Sequence, residues 1–425
     1  MVGLLSNSYG NTTMTIISPG TRPPQVLVDL VESADIRLNG DRPWDIKVHN
    51  PGVYEYTLTK GTLGLGEAYM EGYWDCDELD ECFTKFQRHN LNLKFSGLAK
   101  FRLIMASLGN RITHKLVNLQ TANRAYQVGE KHYDLGNDLY TRMLDPLMNY
   151  SCGYWQHADS LEQAQIDKLD LICRKLNLKP GDHLLDVGCG WGSLARYAAE
   201  EYGVRVTGVT ISREQQKLAR ENCKHLDVEI LFCDYRSLTG KFEKIASVGM
   251  FEHVGRLNYR TYFDTIHNLL TDDGLMLLHT IGSYRTHDTT DPWINEYIFP
   301  NGQLPSASRI TLSIEPNLVI RDWHDFGPDY DRTIMTWWHN FDRSWPELSE
   351  KYGQRFYRMW RYYLHSCAGL FRSGQGQLWQ IVLTKRGALP DYKSYRPVQS
   401  ARRGNNHLRH RKIEIARHRE AQILD

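Results

Sequence analysis

Residues 183–192, HLLDVGCGWG, are the part of the chain that most limits how it can fold. The apolar run ending at Val187 predicts a strand, and the glycines at 188, 190 and 192 predict a tight turn that opens a helix. Because glycine has no Cβ atom, the backbone of such a turn can approach a ligand closely. Open α/β sheets bind ligands at the carboxyl ends of their strands. The segment therefore predicts a ligand cradle at the edge of a parallel sheet.

Strand-like and helix-like segments alternate from about residue 165 onward. The strand-like runs are HLLDV, VRVTGV, VEILF, KIASVG, LMLLHTIG, NLVIRDWHDFG and QLWQIVLTK, and helical stretches such as LARYAAEEY and REQQKLARENCK lie between the first of them. This order predicts an α/β domain over residues 127–385 with a mostly parallel, doubly wound sheet. Residues 283–316 interrupt the alternation and are predicted to be an insertion.

The composition divides the chain before this domain into three parts. Residues 1–22 are rich in Ser, Thr, Asn and Gly and predict a flexible arm. Residues 23–90 predict a small α+β domain: VLVDLVESADI fits a strand or a helix, IKVHNPGVYEYTLT predicts short strands around a turn, and DELDECFTKFQRHN predicts a helix. Residues 91–126 mix apolar with basic side chains such as Lys94, Lys100 and Arg102. They form either a solvated connector or a basic amphipathic segment attracted to anionic lipid.

The chain ends in an Arg- and His-rich stretch, residues 386–425, which predicts a basic tail. Such a tail is either solvated or able to bind an anionic surface.

Composition narrows the class of protein. A length of 425 residues suits two or three domains, and a net charge of +1 gives no general affinity for nucleic acid. None of the 8 cysteines forms a CxxC pair, which favours a reducing, cytoplasmic setting over a disulfide framework. We find no signal peptide, and no apolar run approaches the roughly 20 residues that span a bilayer. Any contact with a membrane is therefore expected at its surface.

The glycine turn has a second diagnostic feature, an acidic residue two positions before its first glycine. In Asp186-Val-Gly-Cys-Gly-Trp-Gly192 the third glycine comes one residue too early for the dinucleotide-binding fingerprint, which argues against a nicotinamide enzyme. The pattern resembles motif I of class I S-adenosylmethionine-dependent methyltransferases, whose loop wraps an amino acid and a ribose. That resemblance implies a seven-stranded methyltransferase fold.

Further motifs narrow the family. The segments GEKHYDLGNDLY, NYSCGYW, LLDVGCGWG, VTGVTIS, SVGMFEHVG, LLHTIGS and NGQLPS occur in the order seen in the cyclopropane fatty acid synthase and mycolic acid cyclopropane synthase family. GLGEAYMEGYWDCDELD resembles the N-terminal domain of the phospholipid-acting branch of that family. The resemblance covers about residues 25–385.

The resemblance implies a set of residues that bind S-adenosylmethionine. The second strand lacks the acidic residue that holds the ribose in many methyltransferases, and Gln215 is expected to take that role beside Ile211. Asp234 and Tyr235 are expected to bound the adenine, while the HYDLGND segment, with His132, Asp134 and Asn137, closes the methionine end. The full expected set is Tyr133, Tyr150, Ser151, Asp186, Gly188, Gly190, Gly192, Thr210, Ile211, Gln215, Asp234 and Tyr235.

The resemblance also implies a bound bicarbonate ion that acts as a base, held by Cys152, Glu252, His279, Tyr330 and the backbone of Ile281. A carboxylate near this anion is tolerable if bicarbonate donates its own O–H to Glu252. Taken alone, His279 would be interpreted as a buried structural histidine and Cys152 as a small apolar residue. A zinc site from Cys152, Glu252 and His279 is disfavoured, since no two of these ligands are closely spaced. The faces of Tyr330, Phe251 and Trp337 are expected to stabilise a cation.

The implied reaction transfers a methylene group to the cis double bond of an unsaturated acyl chain in a membrane phospholipid. Methyl transfer leaves a carbocation, and removal of a proton from the new methyl group closes a cyclopropane ring, provided that water is excluded. The resemblance further implies a homodimer on the inner face of the cell membrane, without a nucleic-acid partner. The alternatives are a lipid methyltransferase that stops at a methyl or methylene branch, a non-catalytic lipid-surface protein, and an RNA methyltransferase suggested only by the tail.

Overall fold

The structure, a computed structural model, describes residues 22–89, 136–287, 289–388 and 391–397. The predicted arm before residue 22, the basic segment 91–126, the tail beyond residue 397 and the site residue Tyr133 lie outside these ranges. His132 and Asp134 of the HYDLGND segment lie outside them as well.

The N-terminal segment, residues 22–89, is mainly helical. It contains α1 (Gln25–Ser33), β1 (Lys47–Val48), α2 (Gly52–Lys60), α3 (Thr62–Met70), β2 (Trp74–Asp75) and α4 (Leu79–Arg88), with β1 and β2 forming a two-stranded antiparallel sheet. The helical alternative for VLVDLVESADI is confirmed, because Leu27 and Val31 are buried on one face of α1. The helix predicted in DELDECFTKFQRHN is confirmed as α4.

The strand predicted after the Asn50-Pro51-Gly52 turn is wrong, because residues 52–60 form α2. Val53 and Tyr54, which in a strand would point to opposite faces, are both buried. Pro51 precedes the helix with a φ of −62°, close to the value that helices require. Packing against the adjacent α3 therefore overrides the strand-like alternation of VYEYTLT.

The remaining elements alternate as the sequence predicts. In order they are α5 (Asn137–Met143), α6 (Leu161–Lys175), β3 (His183–Val187), α7 (Ser193–Tyr202), β4 (Arg205–Thr210), α8 (Arg213–Cys223), β5 (Val228–Phe232), β6 (Phe242–Val248), α9 (Tyr259–Leu269), β7 (Leu270–Ser283), α10 (Pro292–Tyr297), α11 (Ala307–Ile314), β8 (Leu318–Asp325), α12 (Pro328–Arg372) and β9 (Gly376–Lys385). The segment 283–316 holds α10 and α11 between β7 and β8.

The sheet has seven strands in the order β5-β4-β3-β6-β7-β9-β8. The first five are parallel, and β9 is antiparallel to both β7 and β8. The predicted seven-stranded, mostly parallel α/β fold is therefore confirmed. The strand order reverses between β3 and β6, and such a reversal leaves a crevice at the carboxyl ends of the two strands. The glycine turn after β3 lies at this crevice.

The long helix α12 joins the N-terminal segment to the sheet. It starts beside β8 and β9, changes direction at Gly353, whose φ of 73° is not helical, and then packs against α3 and α4. Buried residues of the N-terminal segment and of α12 belong to one hydrophobic cluster, in which the Tyr362 ring lies 5.0 Å from Phe83. Arg372 adds ion pairs to Asp80 at 2.6 Å and to Asp331 at 2.9 Å.

The start of the predicted basic tail is packed onto the domain. Arg396 pairs with Asp322 of β8 at 2.5 Å, and the Tyr392 hydroxyl donates to the backbone oxygen of Lys175 at 3.0 Å. The interpretation of residues 386 onward as a solvated tail is therefore wrong for residues 391–397, because β8 and α6 supply partners that the sequence did not reveal.

The contact between α12 and α4 can be tested at Gly369. A Cβ atom there would lie 2.7 Å from the Phe83 Cβ and 2.9 Å from the Thr84 backbone nitrogen. We expect Gly369→Ala to lower the free energy of unfolding by about 1–3 kcal/mol, although alanine favours a helix. Urea unfolding measures this change. Ser366→Ala in the same helix is the control, with an expected change below about 0.5 kcal/mol. Equal stability of Gly369→Ala and the parent would contradict the close approach.

Candidate active site

The glycine turn forms one wall of a cavity at the strand reversal. Gly188, Gly190 and Gly192 have φ values of 83°, 54° and 85°, which favour glycine. A Cβ atom on Gly188 would lie 2.8 Å from the side chain of Met250, which follows β6. Gly192 instead faces Ala219 of α8, so it supports helix packing and does not line the cavity.

The cavity has a volume of about 190 Å³ and is formed by the ends of β3 and β4, the loops after β5 and β6, and residues 148–151. Ten of the predicted cofactor residues line it: Tyr150, Ser151, Asp186, Gly188, Gly190, Thr210, Ile211, Gln215, Asp234 and Tyr235. The structure thus brings together residues that are spread over 86 positions of the chain, from Tyr150 to Tyr235 counted inclusively.

Gln215 lies in the first turn of α8, where its side chain is held at the cavity. Ser212 caps this helix by accepting a hydrogen bond from the Gln215 backbone nitrogen at 3.3 Å. The Thr210 hydroxyl donates to Gln215 Oε1 at 2.9 Å. The Gln215 side-chain amide is thereby oriented at the end of β4, the position where many methyltransferases have an acidic residue.

Asp234 follows β5 and already has a cationic partner. Its carboxylate accepts from the Arg236 guanidinium at 2.6 and 2.8 Å and from the Arg236 backbone nitrogen at 2.9 Å. The Arg236 guanidinium therefore balances the charge of the Asp234 carboxylate and fixes its orientation at this end of the cavity. Tyr235 packs its ring 5.4 Å from that of Tyr262, which positions it as part of the wall.

Two ionisable side chains of opposite charge are buried at the cavity. Burial raises the pKa of Asp186 to about 7, against the effect of the Lys168 charge, and Asp186 Oδ2 has no hydrogen-bond partner among the described residues. Lys168, on α6, donates to Asn149 Oδ1 at 2.8 Å and to Ser151 Oγ at 3.1 Å. Asp145 in turn binds both the backbone nitrogen and the side-chain amide of Asn149.

Sequence reasoning missed Lys168, Asn149 and Asp145. The only available signal was a lysine on the apolar face of an amphipathic helix, because Lys168 stands between Ile166 and Leu169 in the pattern of α6. A lysine in that place usually extends to solvent. Its direction into a cavity depends on the packing of α6 against residues 149–151.

None of the predicted base residues lines this cavity, and we call these five residues the second group: Cys152, Glu252, His279, Ile281 and Tyr330. Glu252 follows β6 and is buried, and its Oε1 accepts a hydrogen bond from the backbone nitrogen of Ile281 at 2.7 Å. His279 is buried on β7, beside Val248 of β6 and opposite Gln380 of β9. The pairing of β6 with β7 thus places Glu252 and Ile281 in contact, with His279 two residues before Ile281 on the same strand.

Cys152 and Tyr330 lie on other elements: Cys152 precedes α6, and Tyr330 is in the first turn of α12. The Cys152 thiol lies 3.8 Å from the Thr333 hydroxyl, one helical turn after Tyr330 in α12. Thr333 also accepts from the backbone nitrogen of Gly153 at 3.1 Å and from Trp155 Nε1 at 2.8 Å. Trp155 therefore packs and donates to a neighbour.

One ring contact joins the start of α12 to His279. Phe326, just before α12, has its ring 5.8 Å from that of His279. The start of α12 therefore lies near His279 of β7.

The protonation of this second group follows from burial. Burial raises the pKa of Glu252 to about 7 and lowers the pKa of His279 well below its ordinary value, so the histidine is neutral. Gln380 Nε2 lies 3.2 Å from His279 Nδ1 and donates a hydrogen bond to it. Because Nδ1 accepts this bond, the single ring proton of the neutral histidine is on Nε2. His279 Nε2 and Glu252 Oε2 both lack a hydrogen-bond partner among the described residues. One donor and one acceptor are thus available to a small hydrogen-bonding group. These ligands do not form a group that could hold a metal within the described ranges.

The aromatic residues separate into two places. Trp337 lies 6.0 Å from the Tyr330 ring, and its buried Nε1 has no described partner. Phe251 stacks on Tyr259 at 4.4 Å within the core beneath α9. Tyr330 and Trp337 therefore lie side by side, whereas Phe251 packs against α9 in a different part of the core.

Comparison with known proteins agrees with this architecture. The mycolic acid cyclopropane synthetase family matches residues 120–381. Cyclopropane-fatty-acyl-phospholipid synthase of Escherichia coli is 53% identical over 357 residues, covering 84% of this chain and 92% of the relative. A probable fatty acid methyltransferase of Pseudomonas putida is 40% identical and covers 60% of this chain and 68% of its own.

A solved structure resembles the sheet domain. The mycolic acid cyclopropane synthase CmaA1, complexed with S-adenosylhomocysteine (SAH) and CTAB, is 31% identical, with a TM-score of 0.58 over 61% of this chain and 98% of its own. No helix in the described ranges is long and apolar enough to cross a membrane. The sheet order, the glycine cradle and these relatives lead to one conclusion. The chain belongs to the mycolic acid cyclopropane synthetase family and is an S-adenosylmethionine-dependent methyltransferase.

Proposed function

We propose that the protein transfers a methylene group from S-adenosylmethionine to the cis double bond of unsaturated acyl chains in membrane phospholipids, giving a cyclopropane ring. The observation that carries this proposal is the buried pair of unpaired atoms, Glu252 Oε2 and His279 Nε2, beside but outside the cofactor cavity. Methyl transfer to an alkene, unlike transfer to an oxygen or nitrogen lone pair, needs a place to send a proton that starts on carbon. The 53% identical relative named for phospholipid cyclopropanation supports the substrate class.

The polar groups that line the cavity suit S-adenosylmethionine. Asp186 Oδ2, unpaired and buried, provides an acceptor for the ligand's ammonium, and Gln215 provides a side-chain amide for the ribose hydroxyls. Asp234 and Tyr235 bound the adenine, and the backbone at Gly188 and Gly190 leaves room for close approach. When bound, the cofactor supplies an electrophilic methyl group.

The second group suits bicarbonate, a small ion with both an acceptor and a donor. His279 Nε2–H donates to it, Glu252 Oε2 accepts its O–H, and the Cys152 thiol and Tyr330 hydroxyl complete the set. Bicarbonate held there supplies the base. The Ile281 backbone nitrogen donates to Glu252 Oε1 at 2.7 Å. This hydrogen bond fixes the orientation of the carboxyl group, so Oε2 keeps its position when it accepts a proton.

The protein's further task is to keep water away from the cationic acyl chain. Cys152, Glu252, His279 and Trp337 are all buried, and Tyr330 is only 9% exposed. The rings of Tyr330 and Trp337 pack edge to face, with their centres 6.0 Å apart, and a ring face of this pair can stabilise a cation beside it. Water that reached the cation first would give an alcohol in place of the ring.

The substrate's location extends the proposal to the membrane. Acyl chains of phospholipids lie in a bilayer, so we propose that the protein works as a peripheral enzyme at the inner face of the cell membrane. The basic and apolar composition of residues 91–126 supports that segment as one docking element. We also propose a homodimer as the working unit, as the family resemblance implies.

Product analysis tests the reaction. Purified protein, S-adenosylmethionine and bicarbonate are incubated with vesicles whose phospholipids carry cis-monounsaturated chains, with saturated vesicles as the control. We expect acyl chains that gain one CH₂ unit and show cyclopropane protons by NMR. The ring protons matter because a methylene branch has the same mass as a ring. A branched product would favour the alternative reaction and contradict ring closure.

The role of Glu252 predicts a pH dependence. With a pKa near 7, its carboxylate is protonated at low pH and cannot accept, so turnover at saturating cofactor and fixed bicarbonate should rise as the pH increases through about 7. Saturation is needed because Asp186 titrates in the same range and affects cofactor binding.

Glu252→Gln should lower turnover by about 10²- to 10⁴-fold and remove this rise. Its SAH affinity should be unchanged, since Glu252 does not line the cavity. Glu229→Gln, at an exposed position of β5, is the control and should behave as the parent. A Glu252→Gln enzyme with parental turnover would exclude this carboxylate from proton handling.

The proposed docking segment predicts a salt-sensitive interaction with membranes. Replacing Lys94, Lys100 and Arg102 by Glu should weaken co-sedimentation with anionic vesicles by more than tenfold, because each basic residue near such a surface contributes about 1 kcal/mol. SAH affinity, measured in parallel, should not change. Unaltered binding of the triple variant would show that the bilayer is met by another surface.

A further inference from the structure

Lys168 is a buried cation at the cofactor cavity, and both of its described hydrogen-bond partners are neutral. Its side chain is 1% exposed, and its ammonium donates to Asn149 Oδ1 at 2.8 Å and to Ser151 Oγ at 3.1 Å. An ammonium has three N–H donors, so one donor has no partner in the described part of the chain. A buried charge is costly unless an opposite charge lies beside it.

A second lysine on the same helix shows how a buried ammonium is usually stabilised, by a neighbouring carboxylate. Lys175, seven residues later on α6, is equally buried, and its ammonium lies 3.4 Å from the carboxylate of Asp322 and 3.0 Å from His324 Nδ1. Asp322 is held in turn by Arg396. The chain thus provides a carboxylate for Lys175. Near Lys168, the charge of Asp145 stabilises the ammonium, but the Asp145 carboxylate is hydrogen-bonded to Asn149 and forms no ion pair with Lys168 in the described part of the chain.

We propose that Lys168 binds the carboxylate of the amino-acid part of the cofactor. The inference rests on the proposed use of this cavity for S-adenosylmethionine. The amino-acid end of that ligand carries one carboxylate and one ammonium, and the cavity presents two buried side chains of opposite charge, Lys168 and Asp186. Asp186 Oδ2 is unpaired and suits the ammonium, which leaves Lys168 to the carboxylate.

The position of Lys168 favours this carboxylate over bicarbonate as the partner. Lys168 lines the cavity together with its partners Asn149 and Ser151, whereas Cys152, Glu252 and His279 do not. Burial lowers the pKa of Lys168 to about 8, so its ammonium remains mostly charged at neutral pH. Ser151 Oγ accepts a hydrogen bond from the Lys168 ammonium, so the ammonium also orients the Ser151 hydroxyl.

Ligands that differ only at the amino-acid end test the assignment. Calorimetry compares the parent and Lys168→Met for SAH, for its decarboxylated analogue, and for methylthioadenosine, which lacks the whole amino acid. We expect Lys168→Met to bind SAH roughly 10- to 100-fold more weakly. Binding of the other two ligands should change by less than about threefold.

Two further variants control for structure. Lys175→Met removes a buried lysine from the same helix away from the cavity and should leave all three affinities as in the parent. Lys168→Gln keeps a polar group beside Asn149 and should show the same selective loss for SAH. The thermal midpoint of unligated Lys168→Met should not fall by more than that of Lys175→Met, because Lys175 would lose a close ion pair with Asp322 and Lys168 has no ion pair at that distance among the described residues.

The possible outcomes separate this inference from the function on which it rests. If the parent binds SAH and Lys168→Met binds it equally well, the inference is wrong and the proposed function stands. Equal weakening for all three ligands would mean that Lys168 only shapes the cavity. Unchanged SAH affinity with a raised bicarbonate requirement in turnover would reassign the lysine to the second site. If the parent binds none of the ligands, the proposed cofactor site itself fails.

Discussion

Burial of ionisable groups at the carboxyl edge of the sheet is the constraint on which the rest of the structure depends. Lys168, Asp186, Glu252 and His279 are each less than 9% exposed. Three of them have a polar atom without a described hydrogen-bond partner, and each such atom costs about 1–3 kcal/mol. Burial also moves the pKa of both carboxyls to about 7, which makes them able to exchange protons near neutrality. The groups stay dry only if the surrounding elements cannot move apart.

The long helix α12 provides much of that rigidity. Its first turns place Thr333 against Cys152, and its last turns pack on α4 through Gly369. The N-terminal segment and the part of the proposed reaction site that contains Cys152 and Tyr330 therefore both pack on α12. A change in the packing of α4 would therefore shift α12 and, with it, Tyr330 and Thr333, although no residue of α4 belongs to the proposed reaction site.

The two parts of the site meet at adjacent residues of the chain. Ser151 lines the cofactor cavity, and the next residue, Cys152, faces Thr333 in the second group. Gln165 holds this junction by donating to the Ser151 backbone oxygen at 2.7 Å. In the proposed reaction, the methyl donor and the base would therefore be bound beside adjacent residues of the chain.

The sequence by itself determined the sheet domain, its glycine cradle and the family, because the alternation of apolar runs with glycine turns is local and strongly patterned. It also named ten residues that line the cavity. It did not determine that residues 52–60 are helical or that Arg396 pairs with Asp322, because these depend on partners far away in the chain. Lys168 shows the difference most clearly. Its place on α6 follows from local periodicity, but whether a buried lysine finds a carboxylate, as Lys175 does, or faces a ligand cavity is decided only when distant elements pack together.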